Sequence, residues 1–533
     1  MSLIQILDLS FTYPGALSPV FSHVHLELDT LWRLGLIGRN GRGKTTFLNL
    51  LLGKLQGTGE ILSAEVFEYF PLSPVERGEG ALSVARSVIA PFDEWEEKMR
   101  LLMQEGSEQA IRKYGEIESA YSAADGYVID ELIRAECGKL EVPAEALDRP
   151  YSSLSGGERV KLLLAALFLK KHRFLLIDEP TDHLDANGRR TVARWLRSKQ
   201  GFILVSHDRA FLDEAIDHVL SINRADIELQ RGNYSTWRHN RTQRDEFEKA
   251  ENRKLEAGIS RLKEAAARTE KWSDKIEKSK KNSRSATYDK GPASVDRGYI
   301  GHQAARMMQR SKSIEKRRAR DIEEKEKLLK NVEDVEPLKF HLLPPDKKRL
   351  LTAEDIGVRY GDRTLFSHLD FDLDEGDRMV VRGANGSGKS TLLRLILGEQ
   401  EPTKGTLRRM GGLVVSTLPQ ETDFLQGSLR IFAQHMGVEE SLFLALLRKL
   451  DFSREAFGQS MESYSAGQKK KVCLAASLAK PAHLFVWDEP LNYIDVLSRE
   501  QVEKAVLDSA PTMIFVEHDA VFTRSVATKE LVL

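Results

Sequence analysis

Two nine-residue segments carry the residue types that grip a triphosphate. Gly38, Asn40, Gly41, Gly43, Lys44, Thr45 and Thr46 return, 345 positions later, as Gly383, Asn385, Gly386, Gly388, Lys389, Ser390 and Thr391. Glycines at this spacing let successive backbone N–H groups converge on phosphate. The lysine reaches the β/γ oxygens, and the hydroxyl of Thr45 or Ser390 is placed to bind Mg²⁺. One Gly-rich turn is a bland loop; two complete matches, each after an apolar run and before a helical stretch, are a phosphate site.

Asp178-Glu179 and Asp488-Glu489 close short apolar runs, which puts them at the C-terminal ends of buried strands, where open α/β sheets bind ligands. The first acid of each pair suits Mg²⁺ held through water, and the second can orient or deprotonate an attacking water. An isolated acid pair at a strand end is ordinarily just solvated. Here a phosphate loop precedes both pairs, and His207 and His518 follow the glutamates by 28 and 29 residues. A lone histidine is usually structural, but this shared position suits a polar contact to the γ-phosphate or to water. Ser155-Gly156-Gly157-Glu158 is expected to open an amphipathic helix, so its free N–H groups and positive dipole end form an anion site. The bland reading is an N-cap; the sharper one is a cap over phosphate bound by another domain. Ser465-Ala466-Gly467-Gln468 repeats it.

The chain positions these residues with two copies of one unit. FLLIDEPTDHLD (Phe174–Asp185) returns as LFVWDEPLNYID (Leu484–Asp495), and FILVSHD (Phe202–Asp208) as MIFVEHD (Met513–Asp519). Ser155 to Ser465 and Glu179 to Glu489 are each 310 positions, against 345 for the two lysines. The first copy therefore holds about 35 extra residues between its glycine loop and Ser155. Domains are expected over 1–235 and 339–533, with a connector over 236–338. Apolar runs alternate with helical stretches, which predicts an α/β fold with a mainly parallel sheet covered by helices on both faces. Strands are expected over Leu34–Ile37, Phe174–Ile177 and Phe202–Val205, and a helix over Thr45–Leu52. Within the extra residues, about 93–140, Trp95–Met103 is amphipathic and a second helical run is interrupted at Gly126.

The connector differs in kind. Residues 241–330 hold 26 basic and 16 acidic side chains, and the Pro-free stretches 239–272 and 303–332 predict two helices. Between them, Asn282–Gln303 is rich in turn formers, including Gly291-Pro292, so the expected shape is a helical hairpin with an irregular tip. At 1.5 Å per residue each arm would be roughly 45–50 Å long.

Composition excludes other classes. The 533 residues suffice for several cored domains, and 41% hydrophobic with 30% charged residues excludes wholesale disorder. The longest apolar run, Leu162–Leu169, has eight residues, well short of the roughly 18 that span a bilayer. Cys137 and Cys473 support neither a disulfide framework nor a zinc site, and the N-terminal stretch lacks secretory features, so a reducing cytoplasm is expected. The whole chain carries a net charge of −1, but residues 261–320 hold 18 Lys+Arg against 7 Asp+Glu, leaving −12 elsewhere. That asymmetry points to a polyanionic partner for one segment.

LSGGE after a P-loop, then DEPTDHLD and a histidine beyond the next strand, resembles the ATP-binding cassette (ABC) nucleotide-binding domain. Two cassettes with a long charged connector and no membrane domain are similar to the ABC-F family of ribosome-associated ATPases. RLGLIGRNGRGKTT, ILVSHDRAFLDEAIDHVL and RGNYSTW look most like its antibiotic-resistance branch, which protects ribosomes from lincosamides, pleuromutilins and streptogramin A.

The resemblance covers nearly the whole chain. It implies two tandem ABC-type P-loop ATPase domains joined by a helical-hairpin linker. The cassettes would pair head to tail within one monomer, around ATP and Mg²⁺. Site one would take Lys44, Thr45, Asp178, Glu179 and His207 with Ser465 and Gly467. Site two would take Lys389, Ser390, Asp488, Glu489 and His518 with Ser155 and Gly157. The glutamates and histidines would be catalytic. Gly156 and Gln468 complete the signature segments, and Thr45, Asp178, Ser390, Gln420 and Asp488 would serve Mg²⁺. Adenine would stack on Tyr13 and Tyr360, whose alternative is ordinary strand packing. Asp185 and Asp495 match the loop that crosses between cassettes.

Two departures fall on site one. The counterpart of Gln420 is Leu72, which can neither ligate Mg²⁺ nor hold water, and Tyr464 and Ala466 replace Leu and Gly in the second signature. The sites are therefore expected to be unequal, site two being the better hydrolase. In the family the linker enters the tRNA exit site of the 70S ribosome beside 23S rRNA and P-site tRNA, its tip nearing the peptidyl-transferase centre. Tyr288, Tyr299 and His302 would stack there on rRNA bases. Lys312, Lys316 and Arg320 recur every fourth residue and would share one helical face. The extra residues of cassette one resemble the family's arm. Competing readings are a housekeeping ABC-F translation factor, a transporter ATPase subunit and a DNA-repair ATPase; the last places its coiled coils inside a cassette rather than between two.

Overall fold

The computed structural model describes residues 3–15, 18–72, 80–105, 107–181, 184–223, 227–282, 336–361, 363–384 and 386–533. The strands of the first cassette are β1 (Leu3–Phe11), β2 (Phe21–Asp29), β3 (Arg33–Ile37), β4 (Thr58–Leu62), β5 (Val66–Phe70), β6 (Arg173–Asp178), β7 (Phe202–Val205), β8 (His218–Ile222) and β9 (Ile227–Arg231). They form an antiparallel sheet ordered β2-β1-β4 and a larger sheet ordered β5-β6-β7-β3-β8-β9, parallel but for β9. The second cassette repeats this with β10 (Arg349–Tyr360), β11 (Arg363–Asp374), β12 (Arg378–Arg382), β13 (Lys404–Arg409), β14 (Val415–Leu418), β15 (Leu484–Asp488), β16 (Met513–Val516) and β17 (Lys529–Val532). Its sheets run β11-β10-β13 and β14-β15-β16-β12-β17.

The expected strands are present with helices on both faces, and one face also carries a sheet that the sequence did not reveal. One face of the first parallel sheet packs on the antiparallel sheet as well as on the helix Lys44–Leu51, burying Ile4, Ile6 and Leu28 with Leu34, Phe47, Leu176 and Ile203. The reason lies in the period of β1, where Ile4 and Ile6 point inward while Leu3 and Gln5 do not. β7 is apolar throughout and buried throughout, as a strand covered on both faces must be. The opposite face carries the helices Gly156–Leu169 and Ala186–Arg197. The first of these is buried at every residue from Leu162 to Leu167, so it is a core helix and not an amphipathic one.

Each phosphate loop runs from a central strand into a helix through a glycine in the left-handed region, Gly43 at φ 95° and Gly388 at φ 102°. A side chain at Gly43 would lie 2.6 Å from Val20 and 2.9 Å from the Phe21 ring. The extra residues of cassette one form the helix pair Phe92–Glu105 and Glu108–Ala123, whereas the next helix, Ile129–Lys139, matches Glu440–Lys449 of the second cassette. Gly126 occupies the turn before Ile129–Lys139, where a Cβ would strike the Tyr121 ring at 2.4 Å.

Met1–Trp237 and Val335–Leu533 together make one compact unit, and Arg238–Asp334 a second. Within the first, Tyr234 Oη donates to Glu500 at 2.7 Å and Arg209 pairs with Glu503 at 2.6 Å, joining the cassettes. A single helix, Tyr234–Asn282, spans 49 residues, longer at both ends than the stretch 239–272 read from composition. Tyr288, Tyr299, His302, Lys312, Lys316 and Arg320 lie outside the described residues.

Candidate functional site

The first P-loop and the second signature segment line one cavity of about 860 Å³, within the roughly 300–1,000 Å³ of small-molecule sites. Asn40, Gly41, Gly43, Lys44, Thr45 and Thr46 come from one cassette, and Ser465, Ala466 and Gly467 from the other. Asp178, Glu179, His207, Tyr13 and Asp185 also face this cavity, as do Gln420, Glu489 and His518. Ser465 caps its helix by accepting from the Gln468 N–H at 3.3 Å, so the helix N-terminus opens toward the P-loop. Close approach depends on Gly467, where a Cβ would lie 2.7 Å from the Tyr493 carbonyl and 2.9 Å from the Asn40 amide nitrogen.

Across the same seam the Asn40 side chain donates to the Tyr493 carbonyl at 2.9 Å, and its backbone N–H donates to Asp495 at 3.3 Å. Asp495 is fully buried beside the Lys471 ammonium at 3.1 Å. Burial alone would raise its carboxyl, but Lys471 and Lys44 overrule it and hold the group well below the usual carboxylate range. Lys44 Nζ bonds back to the Gly38 carbonyl at 2.7 Å, and burial pushes its ammonium below the ordinary value against the pull of Asp495, Glu179 and Asp178. Gly41, at φ 82°, lines the cavity, and nothing stands within 4 Å of where its Cβ would be.

The acids sit where strand chemistry placed them, Asp178 ending β6 and Asp488 ending β15. Glu179 and Glu489 both adopt φ 47°, a left-handed conformation that costs on the order of 1–3 kcal/mol and is found mainly where function needs it. His207 Nε2 lies 3.4 Å from Glu179 Oε1, and His518 Nε2 lies 3.6 Å from Glu489 Oε1. Glu489 also accepts from Gln420 at 2.8 Å and from Asn492 at 2.5 Å. The His518 contact, with help from Gln420, holds its carboxyl below the usual glutamate range. Burial, reinforced by Lys44, holds His207 well below its ordinary pKa and therefore neutral near pH 7. Burial raises Asp488, and Ser390 Oγ donates to it at 3.1 Å. Hydroxyl and carboxylate oxygens of this kind are the donors Mg²⁺ prefers, so the residues fit the ion.

The pairing Phe70↔Ile177 in one cassette and Leu418↔Trp487 in the other puts Leu72 opposite the position of Gln420. Leu72 packs against the apolar core instead of reaching the acids. Sequence reasoning missed Tyr69, whose hydroxyl donates to Asp178 Oδ2 at 2.9 Å. The available signal was an aromatic hydroxyl on the strand beside the acid pair, three residues before the missing glutamine.

Site two is not drawn together in the same way. Tyr360, Gly383, Gly386, Gly388, Lys389, Ser390 and Thr391 lie outside the large cavity, as do Ser155, Gly156 and Gly157. Among the described residues no hydrogen bond joins those two groups, and Asn385 is outside them. Lys389 Nζ bonds to the Gly383 carbonyl at 2.9 Å, and burial lowers its ammonium too. Tyr13 stands edge-on to Phe11 and shares a 2.9 Å hydrogen bond with Thr46 at the cavity wall. Tyr360 donates to Gln400 at 2.8 Å and is half exposed.

The family described as ABC transporter matches residues 21–182 and 366–492. Among curated relatives, Ribosome protection protein VmlR of Bacillus subtilis (strain 168) is 28% identical over 524 residues, covering 96% of this chain and 84% of VmlR. Energy-dependent translational throttle protein EttA of Haemophilus influenzae is 25% identical, covering 93% of this chain and 86% of EttA. The archaeal ribosome recycling factor aABCE1, solved with the ribosomal stalk protein aP1, matches 98% of this chain and 87% of its own with a TM-score of 0.57 at 17% identity, a likeness of fold. Among the described residues no helix is long and apolar enough to cross a membrane.

Proposed function

We propose, for a chain that belongs to the ATP-binding cassette family and carries its ATPase domain twice, that ATP bound between the paired cassettes drives action on the ribosome. The reading is an ABC-F factor of the cytoplasm, working as a monomer whose two cassettes pair with each other. The observation that carries the pairing is the single cavity shared by Lys44, Asp178 and Glu179 with Ser465 and Gly467. Support for the ribosome comes from the +11 charge of residues 261–320, suited to a phosphate backbone, and from relatives named for ribosome protection and translational throttling.

At site one the P-loop N–H groups and Lys44 would cradle the phosphates, while the second signature helix presents its N-terminus to the γ-phosphate. Glu179 would orient or deprotonate the attacking water, and neutral His207, 3.4 Å away, would hold that carboxylate or the γ-phosphate. Glu489, with His518 and Gln420, takes the same part at site two. Thr45 with Asp178, and Ser390 with Asp488 and Gln420, would hold Mg²⁺, which would supply neutralisation of phosphate charge when bound.

The finer reading is ribosomal protection, the linker advancing from the tRNA exit site toward the peptidyl-transferase centre to dislodge drug, with P-site tRNA and 23S rRNA as neighbours. The relative named EttA favours the alternative, a housekeeping factor on stalled or initiating ribosomes. One paired experiment separates them. The Glu179→Gln/Glu489→Gln double variant is expected to co-sediment with 70S ribosomes only with ATP, and the wild type to raise lincomycin and tiamulin resistance in a sensitive host. Trapping without resistance would favour the housekeeping factor, and absence of both would reject ribosome action.

A further inference from the structure

Arginine occupies two variable positions of the first phosphate loop, Arg39 and Arg42, where the second loop has Ala384 and Ser387. Arg42 Nη2 donates to both carboxylate oxygens of Asp451, at 3.0 and 3.3 Å. Arg39, 7% exposed, brings Nη1 to 4.0 Å from the same carboxylate. Asp451 belongs to the other cassette and directly follows its helix Glu440–Lys449 and that helix's cap, Leu450. A phosphate loop of one cassette is thus ionically tied to the helical subdomain that carries the opposing signature.

Among the described residues the second loop has no equivalent tie. The counterpart of Asp451 is Glu141, at the same place after the matching helix and with the same left-handed backbone, φ 56° in both. Glu141 accepts instead from Asn187 at 3.3 Å and Thr191 at 3.1 Å, both in its own cassette. The turn is therefore common to both cassettes, and among the described residues the ion pair forms where arginine sits in the facing loop. Both bonds leave the one Nη2 of Arg42, and a hydrogen bond between a charged donor and a charged acceptor is stronger than one between neutral groups.

We propose that Asp451, through Arg42 and Arg39, is a positioning residue private to site one, holding that P-loop against the second signature so that nucleotide there exchanges slowly. The latch touches no reacting atom; it acts through the loop that Lys44 and Asn40 belong to. It rests on the pairing of cassettes around nucleotide argued above, but it is read on the purified chain, so failed ribosome binding would leave it standing.

The test is a chase of mant-ATP with excess ATP and Mg²⁺, in the Glu179→Gln/Glu489→Gln chain that retains nucleotide unhydrolysed. Two release phases are expected. Asp451→Arg should speed the slow one about tenfold, equivalent to about 1.4 kcal/mol, and leave the fast one alone. Adding Arg42→Glu to that variant, which restores opposite charge with the signs exchanged, should recover the slow phase. A purely structural role for Asp451 would not be rescued by the exchange. A single phase in the parent chain, an unchanged slow phase in Asp451→Arg with a wild-type circular dichroism spectrum, or no recovery in the exchanged pair would each overturn the proposal.

Discussion

The two phosphate loops differ by few residues and live in different surroundings. Around the first, Asp495 is fully buried, bonded to the Asn40 N–H and paired with Lys471. Its counterpart Asp185 is exposed and caps its own helix through the Gly188 N–H at 2.7 Å. Around the second loop Glu489 meets Gln420, His518 and Asn492 and Asp488 meets Ser390, where around the first Glu179 meets His207 and Asp178 meets Tyr69. One site is closed by contacts between cassettes, the other equipped within a single cassette. Duplicated chemistry need not be duplicated work: the site lacking its glutamine is the one tied across the cassettes, which suits retention, and the site that keeps its glutamine suits turnover.

That contrast breaks most visibly at the glutamates. Glu489→Gln should lower steady-state ATPase activity on the order of a hundredfold or more, and Glu179→Gln by less than about tenfold. Equal losses in single-turnover assays would erase the division of labour.

Next in size is Asp495→Asn, which strands the buried Lys471 charge and should cost about 3–5 kcal/mol by denaturant midpoint. Because the folded carboxyl lies below its ordinary value of 3.8, its contribution is present above that pH and is lost only as pH falls through the lower folded value. The gap between wild type and variant should therefore stay constant from pH 7 to about pH 4.5 and narrow only in stronger acid. Asp185→Asn, at an exposed position, should cost far less.

The smallest effect sharpens the contrast at Tyr69. Tyr69→Phe removes the hydroxyl bonded to Asp178 and should weaken Mg²⁺ dependence of nucleotide binding about fivefold, near 1 kcal/mol. Thr417→Val, the matching position beside β15, should change nothing.

Much of this was legible along the chain. The strands Phe174–Ile177 and Phe202–Val205 announced themselves as unbroken apolar runs, and the acid pairs and histidines followed from where such strands end. Leu72 was legible as a departure because the repeat supplied Gln420 for comparison. The antiparallel sheet beside the P-loop helix was not, since a half-buried strand such as β1 alternates in a way that does not reveal which layer covers it. The bond from Tyr69 to Asp178 was also hidden: adjacency across a parallel pair joins residues 109 positions apart.

The amino-acid order by itself determined the duplicated cassettes, the phosphate loops and the basic connector, because glycine spacing, helix capping and charge density act over a few neighbouring residues. Only the tertiary structure decided which loop meets which signature, and that Asn40 and Asp495, 455 positions apart, share a hydrogen bond. Contacts of that range are settled by how the two cassettes pack, which no run of neighbouring residues encodes.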